Sequence, residues 1–218
     1  IKIEDVHIIQ KNVTSECADI STVVEILSAE DFSGANISIK ADGIVLSDKI
    51  VDIKKGMNKV SLDYKIDNPK LWWTNGIGEA YLYKFNTSVM LENNVSDSVT
   101  HNIGIRSLNM IAKKDKYGTS LYFELNGVPV FMKGANYIPG DSFLPRITKE
   151  KYEKEILDAK NANMNMLRVW GGGIYEDDSF YDFCDKHGRL VWQDFMFACA
   201  LYPADETFIE NVRQEDIY

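Results

Sequence analysis

The hydrophobic period of this chain changes partway along, and that change limits the folds open to it. Over residues 1–109, "IKIEDVHII", "STVVEIL", "ANISIKA", "KIVDIK", "NKVSLDYKI" and "LYKFNTSVML" alternate apolar and polar positions, with turn signals at "FSGAN", "ADG", "KKGMN" and "ENNVSD". A period of two places alternate side chains on one face of a strand, so one face is buried and the other is wet. Short strands separated by regular turns predict an antiparallel sandwich. The expected architecture is an all-β, immunoglobulin-like sandwich, although the Cys-Trp-Cys mark of antibody domains is missing.

The segment "NPKLWWTNGIGEAYLYKF" interrupts this pattern. Its tryptophans, Trp72 and Trp73, are expected to fill a sandwich end or a domain seam; the competing reading is a sugar-stacking platform. "SLYFELNGVPVFMKGANYIPG" then gives two strands around an Asn126-Gly127 hairpin turn. After Pro145 the period becomes helical. "TKEKYEKEILDAKNANM" is an amphipathic helix capped by Thr148, and "MNMLRVW" is a near-continuous apolar strand. "DDSFYDFCDKHG" is a helix starting at Asp177 or Asp178 and stopping at Gly188, and "RLVWQDFMF" is another buried strand. Strands alternating with helices through short loops predict parallel βαβ units. The chain is therefore expected to be multidomain, with a sandwich over 1–109 and a parallel α/β part over 110–218. About three βα units are present, against the eight a closed barrel needs.

Composition excludes several partners. A net charge of -9 argues against nucleic acid, whose phosphates need a basic surface. No apolar run approaches the roughly 18 residues of a membrane span, so no membrane partner is expected. The 3 cysteines, Cys17, Cys184 and Cys199, and the 3 histidines share no metal-ligand or disulfide spacing, and buried free thiols are expected. No metal or cofactor is expected. Gly171 to Gly173 lack the spacing of a dinucleotide fingerprint and the Lys-Ser/Thr of a phosphate-binding loop. The first residues read as a strand with neither initiator Met nor leader, the expectation being an excised piece.

In parallel α/β folds ligands meet the C-terminal ends of strands. Three such ends occur here: "GANYIP" with Asn136 and Tyr137, "LRVWGGG" with Arg168 and Trp170, and "WQDF" with Gln193 and Asp194. Each residue has two readings. Arg168 is either a buried cation paired with a carboxylate or a substrate contact. Trp170 is either core packing or a sugar-stacking wall. Asp194 follows an apolar run, where a lone carboxylate is unfavourable, so it pairs with a neighbour such as Arg168, bonds a ligand, or both. Asn136 is either a turn former or a ligand. Glu176 and the two aspartates after it read as carboxylates at a helix N-terminus.

"FELNGVPVFMKGANYIPGDSF", "NMNMLRVWGGGIYEDDSFYDFCDKHG" and "VWQDFMFACALYP" resemble the family 2 glycoside hydrolases, and within them the β-mannosidase branch. The resemblance is dense from Phe123 to Pro203, and in the first half "NPKLWWTNGIGEAYLY" is its clearest piece. It implies a retaining exo-glycosidase that removes terminal β-D-mannose from oligosaccharides, built as a jelly roll, a sandwich and a (β/α)₈ TIM barrel. Retention uses an acid and a nucleophile carboxylate about 5 Å apart. The resemblance puts those glutamates after barrel strands four and seven, whereas this chain ends near the helix after strand three, at "FIENVRQEDIY". It is therefore expected to be an inactive piece with an incomplete barrel and no catalytic residue. Glu206, Glu210 and Glu215 lie in a helical run, not at a strand end. Arg168, Trp170, Asp194 and Asn136 are expected to form part of the sugar-binding wall.

An incomplete barrel exposes apolar edges. Packing against the sandwich, self-association through those edges, or disorder in the last residues is expected. By resemblance the parent works in a periplasmic or secreted setting or in a lysosome. The other readings are a non-catalytic carbohydrate-binding or interaction module resting on Trp72 and Trp73, and a related family 2 exo-glycosidase (glucosaminidase, galactosidase). Sequons occur at Asn12, Asn36, Asn86 and Asn94.

Overall fold

A computed structural model describes residues 1–92 and 94–215. The expected disorder of the last residues falls partly on 216–218, outside that range. The alternating half forms β1 (Lys2–Val13), β2 (Cys17–Ser28), β3 (Phe32–Ala41), β4 (Ile44–Ile53), β5 (Gly56–Asp67), β6 (Tyr83–Leu91) and β7 (Asn94–Ile103). They pair antiparallel in two sheets, ordered β1-β2-β5 and β4-β3-β6-β7. Their inward residues form one core that includes Ile20, Val24, Ile37, Ile39, Phe85 and Val89. Each such side chain contributes about 1.5–3 kcal/mol by leaving water. Tyr64 also enters this core, where its hydroxyl meets Thr22 Oγ1 at 2.6 Å. Burial pushes its phenol pKa up to about 12.

Strand β7 was not among the expected strands, because "ENNVSD" reads as a turn. It is a sheet edge whose side chains include Asn94, Ser96, Asp97, Ser98 and Thr100, so apolar alternation is faint. Polar edges also discourage pairing with other chains.

The second half begins with β8 (Leu108–Lys114), β9 (Thr119–Leu125) and β10 (Val128–Val130), a small antiparallel sheet. Its hairpin turns at Asn126 and Gly127, with φ of 51° and 77°, the left-handed pair that a two-residue type I′ turn requires. There follow β11 (Gly134–Tyr137), α1 (Lys149–Asn161), β12 (Met166–Val169), α2 (Asp178–Lys186), β13 (Leu190–Gln193) and α3 (Glu206–Glu215). The three strands pair in parallel in the order β11-β12-β13. Helix α1 starts at Thr148, whose side chain accepts from Lys151 N–H, and α2 at Asp177, whose carboxylate accepts from Ser179 N–H.

Alternation sorts the parallel sheet into two faces. Leu167, Val169 and Val191 face the helices and pack with Tyr152, Ile156 and Phe180. On the opposite face, Met166 and Leu190 join Trp72, Leu125 and Val130 in a separate core. Trp72 is fully buried and bridges the halves. Its indole donates to Asp185 O at 2.8 Å, and the Arg106 guanidinium lies 4.5 Å over its ring while pairing with Asp185 at 3.0 Å. The sugar-platform reading of Trp72 is thus wrong: its faces are occupied by protein. Trp73 is half-buried, with Gly78 against its ring.

Next to Trp72, Thr74 shares its one hydroxyl proton between Gly188 O (2.8 Å) and Asn165 O (3.0 Å). Asn165, itself 2% exposed, accepts from Lys133 N–H at 2.7 Å and donates to Phe131 O at 3.0 Å. Leu190 N–H donates to the Asn165 carbonyl at 2.8 Å. One asparagine therefore aligns the starts of all three parallel strands. Arg189 is buried close by and donates to Met164 O and Gly188 O, just past the ends of α1 and α2, where helix carbonyls concentrate negative potential.

Among the cysteines only Cys184 is buried; Cys17 is half-buried and Cys199 exposed, so the expectation of buried thiols holds for one of them. Among the described residues no helix is long and apolar enough to cross a membrane.

Trp72→Ala is expected to destabilise the chain by about 3–5 kcal/mol, the range for large-to-small core truncation. Urea unfolding should show it, and a loss below 1 kcal/mol would contradict the bridging role.

Candidate functional site

The C-terminal ends of β11, β12 and β13 lie side by side, with Asn136 opposite Arg168 and Arg168 opposite Trp192 across the ladders. In-register neighbours share a face, so these three stand in one row on the side away from the helices. Arg168 donates to Asp194 through Nε (3.1 Å to Oδ1) and Nη2 (2.7 Å to Oδ2), the two-pronged geometry that suits a guanidinium and a carboxylate. Its Nη1 donates to Asn136 Oδ1 at 3.2 Å. Gly171 N–H adds a fourth bond, to Asp194 Oδ2 at 3.2 Å. The Asp194 side chain is 18% exposed and that of Arg168 43% exposed, so the pair sits at a surface rather than inside a core.

Three of the four sequence-derived candidates, Asn136, Arg168 and Asp194, therefore meet in one hydrogen-bonded set. Trp170, which directly follows β12, is half-buried, and its backbone N–H donates to Tyr137 O at 3.0 Å. The glycines that follow each meet a different neighbour. A Cβ on Gly171 would lie 2.4 Å from Phe195 O, one on Gly172 2.0 Å from Trp170 Cζ3, and one on Gly173 3.0 Å from Pro139 Cδ. The first contact seats the loop after β12 on the loop after β13, the second folds the turn over the indole, and the third closes it on the loop after β11. Trp192, 42% exposed, joins Arg168 and Asn136 along a cavity of about 400 Å³. Sequence reading passed over Trp192; its place two residues before Asp194, near the end of β13, was the available signal.

Glu176 departs from expectation. It is not a helix-start carboxylate, a role Asp177 fills, but is 6% exposed and accepts from Tyr152 OH at 2.7 Å. Burial raises its pKa, with the charges of Glu155 and Asp177 acting in the same direction and the Tyr152 bond against it. It belongs to a belt of phenols behind the strand ends. Tyr137 OH donates to Glu155 at 2.7 Å, and Tyr181 OH donates to Gln193 Oε1 at 2.7 Å while accepting from Glu176 N–H at 3.2 Å. Glu176, Tyr181, Gln193 and Asp194 also border an open cleft of about 790 Å³. Among the described residues no group of three or more His, Cys, Asp or Glu is placed to hold a metal ion.

A family model described as Glycosyl hydrolases family 2 matches residues 1–106. The Beta-mannosidase B of Aspergillus clavatus is 40% identical over 203 residues, which is 92% of this chain and 24% of that protein. That of Neosartorya fischeri is 44% identical over 165 residues, 76% of this chain and 19% of that protein. The solved Beta-D-Mannosidase of Dictyoglomus thermophilum superposes with a TM-score of 0.88 at 40% identity, covering 98% of this chain and 26% of that one. The exo-chitosanase of Amycolatopsis orientalis gives a TM-score of 0.73 at 23% identity over 87% of this chain and 22% of its own, a likeness of fold alone. The chain spans about a quarter of the length of the first of these relatives.

The raised pKa of Glu176 carries a sign. A carboxyl that binds its proton more tightly when folded contributes most at low pH, and the contribution fades as pH rises from its unfolded value through its folded one. Glu176→Gln is expected to flatten that part of the stability–pH curve and to raise stability relative to the parent at neutral pH. Thermal melts across pH 4–8 test it; parallel curves for the two proteins would refute the assignment.

Proposed function

The chain belongs to glycosyl hydrolases family 2, and on that footing we propose that it is part of a retaining exo-β-mannosidase that removes terminal β-D-mannose from oligosaccharides. The observation that carries this reading is the Arg168–Asp194 pair, held by Asn136 and Gly171 N–H at the ends of three adjacent parallel strands. In it, Asp194 Oδ1 takes one bond from Arg168 and keeps acceptor capacity for a sugar hydroxyl, and the half-exposed guanidinium keeps N–H donors for a second. Trp170 supplies an aromatic wall for the apolar face of the ring. Arg168, Trp170, Asp194 and Asn136 are accordingly read as substrate-binding residues.

On this reading the parallel part, from about residue 110, is the opening of a (β/α)₈ barrel that follows an immunoglobulin-like domain over 1–109. Catalysis is assigned to none of these residues. Retention needs two carboxylates about 5 Å apart across the scissile bond. Among the described residues the mouth offers Asp194, already engaged by Arg168, while Glu176 is bonded to Tyr152 in the helix layer. Glu210, on α3, is bonded to Arg213. Apolar side chains such as Phe131 (83% exposed) and Trp192 (42%) support self-association of the 218-residue chain in isolation. The similarity to β-mannosidases at 40% identity favours mannose over glucosamine or galactose, whose enzymes resemble this chain at 22–23%.

The full-length protein is expected to hydrolyse p-nitrophenyl β-D-mannoside, and the 218-residue chain alone is not. Asp194→Ala in the full-length protein should lower kcat/KM roughly 10²-fold, as expected for stripping one partner from a hydrogen-bonded charge pair. Preference for the galactoside or glucosaminide, or turnover by the short chain, would overturn the reading.

A further inference from the structure

We infer that Tyr181 is a positioning residue for Asp194, acting through Gln193. The inference rests on the proposed role of Asp194 in holding the sugar. Gln193 is the last residue of β13 and Asp194 follows it directly, still bonded through its N–H to Val169 O of β12, and consecutive side chains of an extended chain point to opposite faces. Tyr181 OH donates to Gln193 Oε1 at 2.7 Å on the helix side, while Asp194 is bonded to Arg168 on the other. Gln193 Nε2 then donates to Asp194 O at 3.0 Å, and Asp194 N–H donates to Val169 O at 3.1 Å. With Arg168 and Gly171 N–H on the carboxylate, the backbone N–H, the carbonyl and both carboxylate oxygens of Asp194 are all engaged.

The same phenol oxygen accepts from Glu176 N–H at 3.2 Å. Glu176 lies on the loop that begins at Trp170 and Gly171. One hydroxyl on α2 thus ties together the two loops that carry the aromatic wall and the carboxylate. Its ring is held independently, edge-on to Phe180 at 5.3 Å, so the hydroxyl can be removed while the packing stays. Tyr152 is the internal control. Its hydroxyl bonds the Glu176 carboxylate at 2.7 Å, and no bond joins it to Gln193.

Tyr181→Phe and Tyr152→Phe, each in the full-length protein, separate positioning from general stability. Hydrogen exchange of the Gly171 amide reports on Asp194 Oδ2 directly. It is expected to speed up at least roughly tenfold in Tyr181→Phe and to stay at the parent rate in Tyr152→Phe, with the amides of β2 unchanged in both. On p-nitrophenyl β-D-mannoside, Tyr181→Phe should raise KM roughly tenfold with kcat nearly unchanged, the pattern for lost binding shared by ground and transition states. An unchanged Gly171 exchange rate in Tyr181→Phe overturns the inference, as does equal acceleration in Tyr152→Phe or an unchanged KM. Should the parent protein turn over no β-mannoside, the functional reading falls, and the exchange rates alone decide the role of Tyr181.

Discussion

The docking of Trp72 to Asn75 beneath the parallel strands is the constraint on which the rest of the molecule depends. The segment leaves the sandwich, buries an indole in a third core, and uses Thr74 and Asn75 to bond the carbonyl of Gly188. Thr74 also bonds the carbonyl of Asn165, and Asn165 in turn sets the starts of β11, β12 and β13. Each of these strands is only four residues long. At roughly 3.3 Å per residue, the three steps from Asn165 at the seam to Arg168 in the polar row span about 10 Å. A short stiff ladder carries register across that distance, so fixing the bottom of the sheet fixes the row at its top. The Arg106–Asp185 ion pair, its side chains 28% and 30% exposed, closes over Trp72 at this point. Burial pushes the Asp185 pKa up and Arg106 opposes it, so the aspartate depends on its arginine.

Parity does the next part. Along β12 the residues facing the helices are Leu167 and Val169, and those facing away are Met166 and Arg168. The first pair makes an apolar layer under α1 and α2. In the second, Met166 still belongs to the seam core, while Arg168, two residues on, is at the surface and polar. The change from core to site thus takes one strand repeat. Behind the strands the corresponding boundary is made by hydroxyls, with Tyr137, Tyr152 and Tyr181 ending the helix-side core in bonds to Glu155, Glu176 and Gln193. Phenols suit such a boundary because the ring joins the apolar layer and the oxygen leaves it.

Much of this was legible from residue types. The Asn126-Gly127 turn, the Thr148 cap, a cap at Asp177 or Asp178 (the structure uses Asp177) and a partner such as Arg168 for Asp194 all follow from local chemistry: left-handed φ, orphan helix N–H groups, and the penalty on an unpaired carboxylate beside an apolar run. What was not legible depends on contacts distant in sequence. Trp72 meets Asp185, 113 positions away, and Asn165 meets Phe131, 34 away. Nothing near either residue announces those partners. Glu176 was misread for the same reason. Beside two aspartates it looks like dipole-stabilising charge, and only the approach of α1 brings the Tyr152 hydroxyl that turns it inward. Strand β7 was missed because an edge strand buries too little to need clear alternation.

The three consecutive glycines are explained by this division between local and distant contacts. A phosphate-binding loop uses glycine so that backbone N–H groups can approach an anion; here Gly171 N–H does approach an anion, but the anion is the carboxylate of Asp194. The remaining space that side chains would occupy is filled by Phe195 O, the Trp170 indole and Pro139. The turn is therefore packed on its own protein on each side, against the backbone of the loop after β13 and the Pro139 ring of the loop after β11. A site assembled from side chains alone would depend on rotamers for its spacing. This one takes part of its spacing from backbone contact, with Gly171 set against Phe195 O and bonded through its N–H to Asp194.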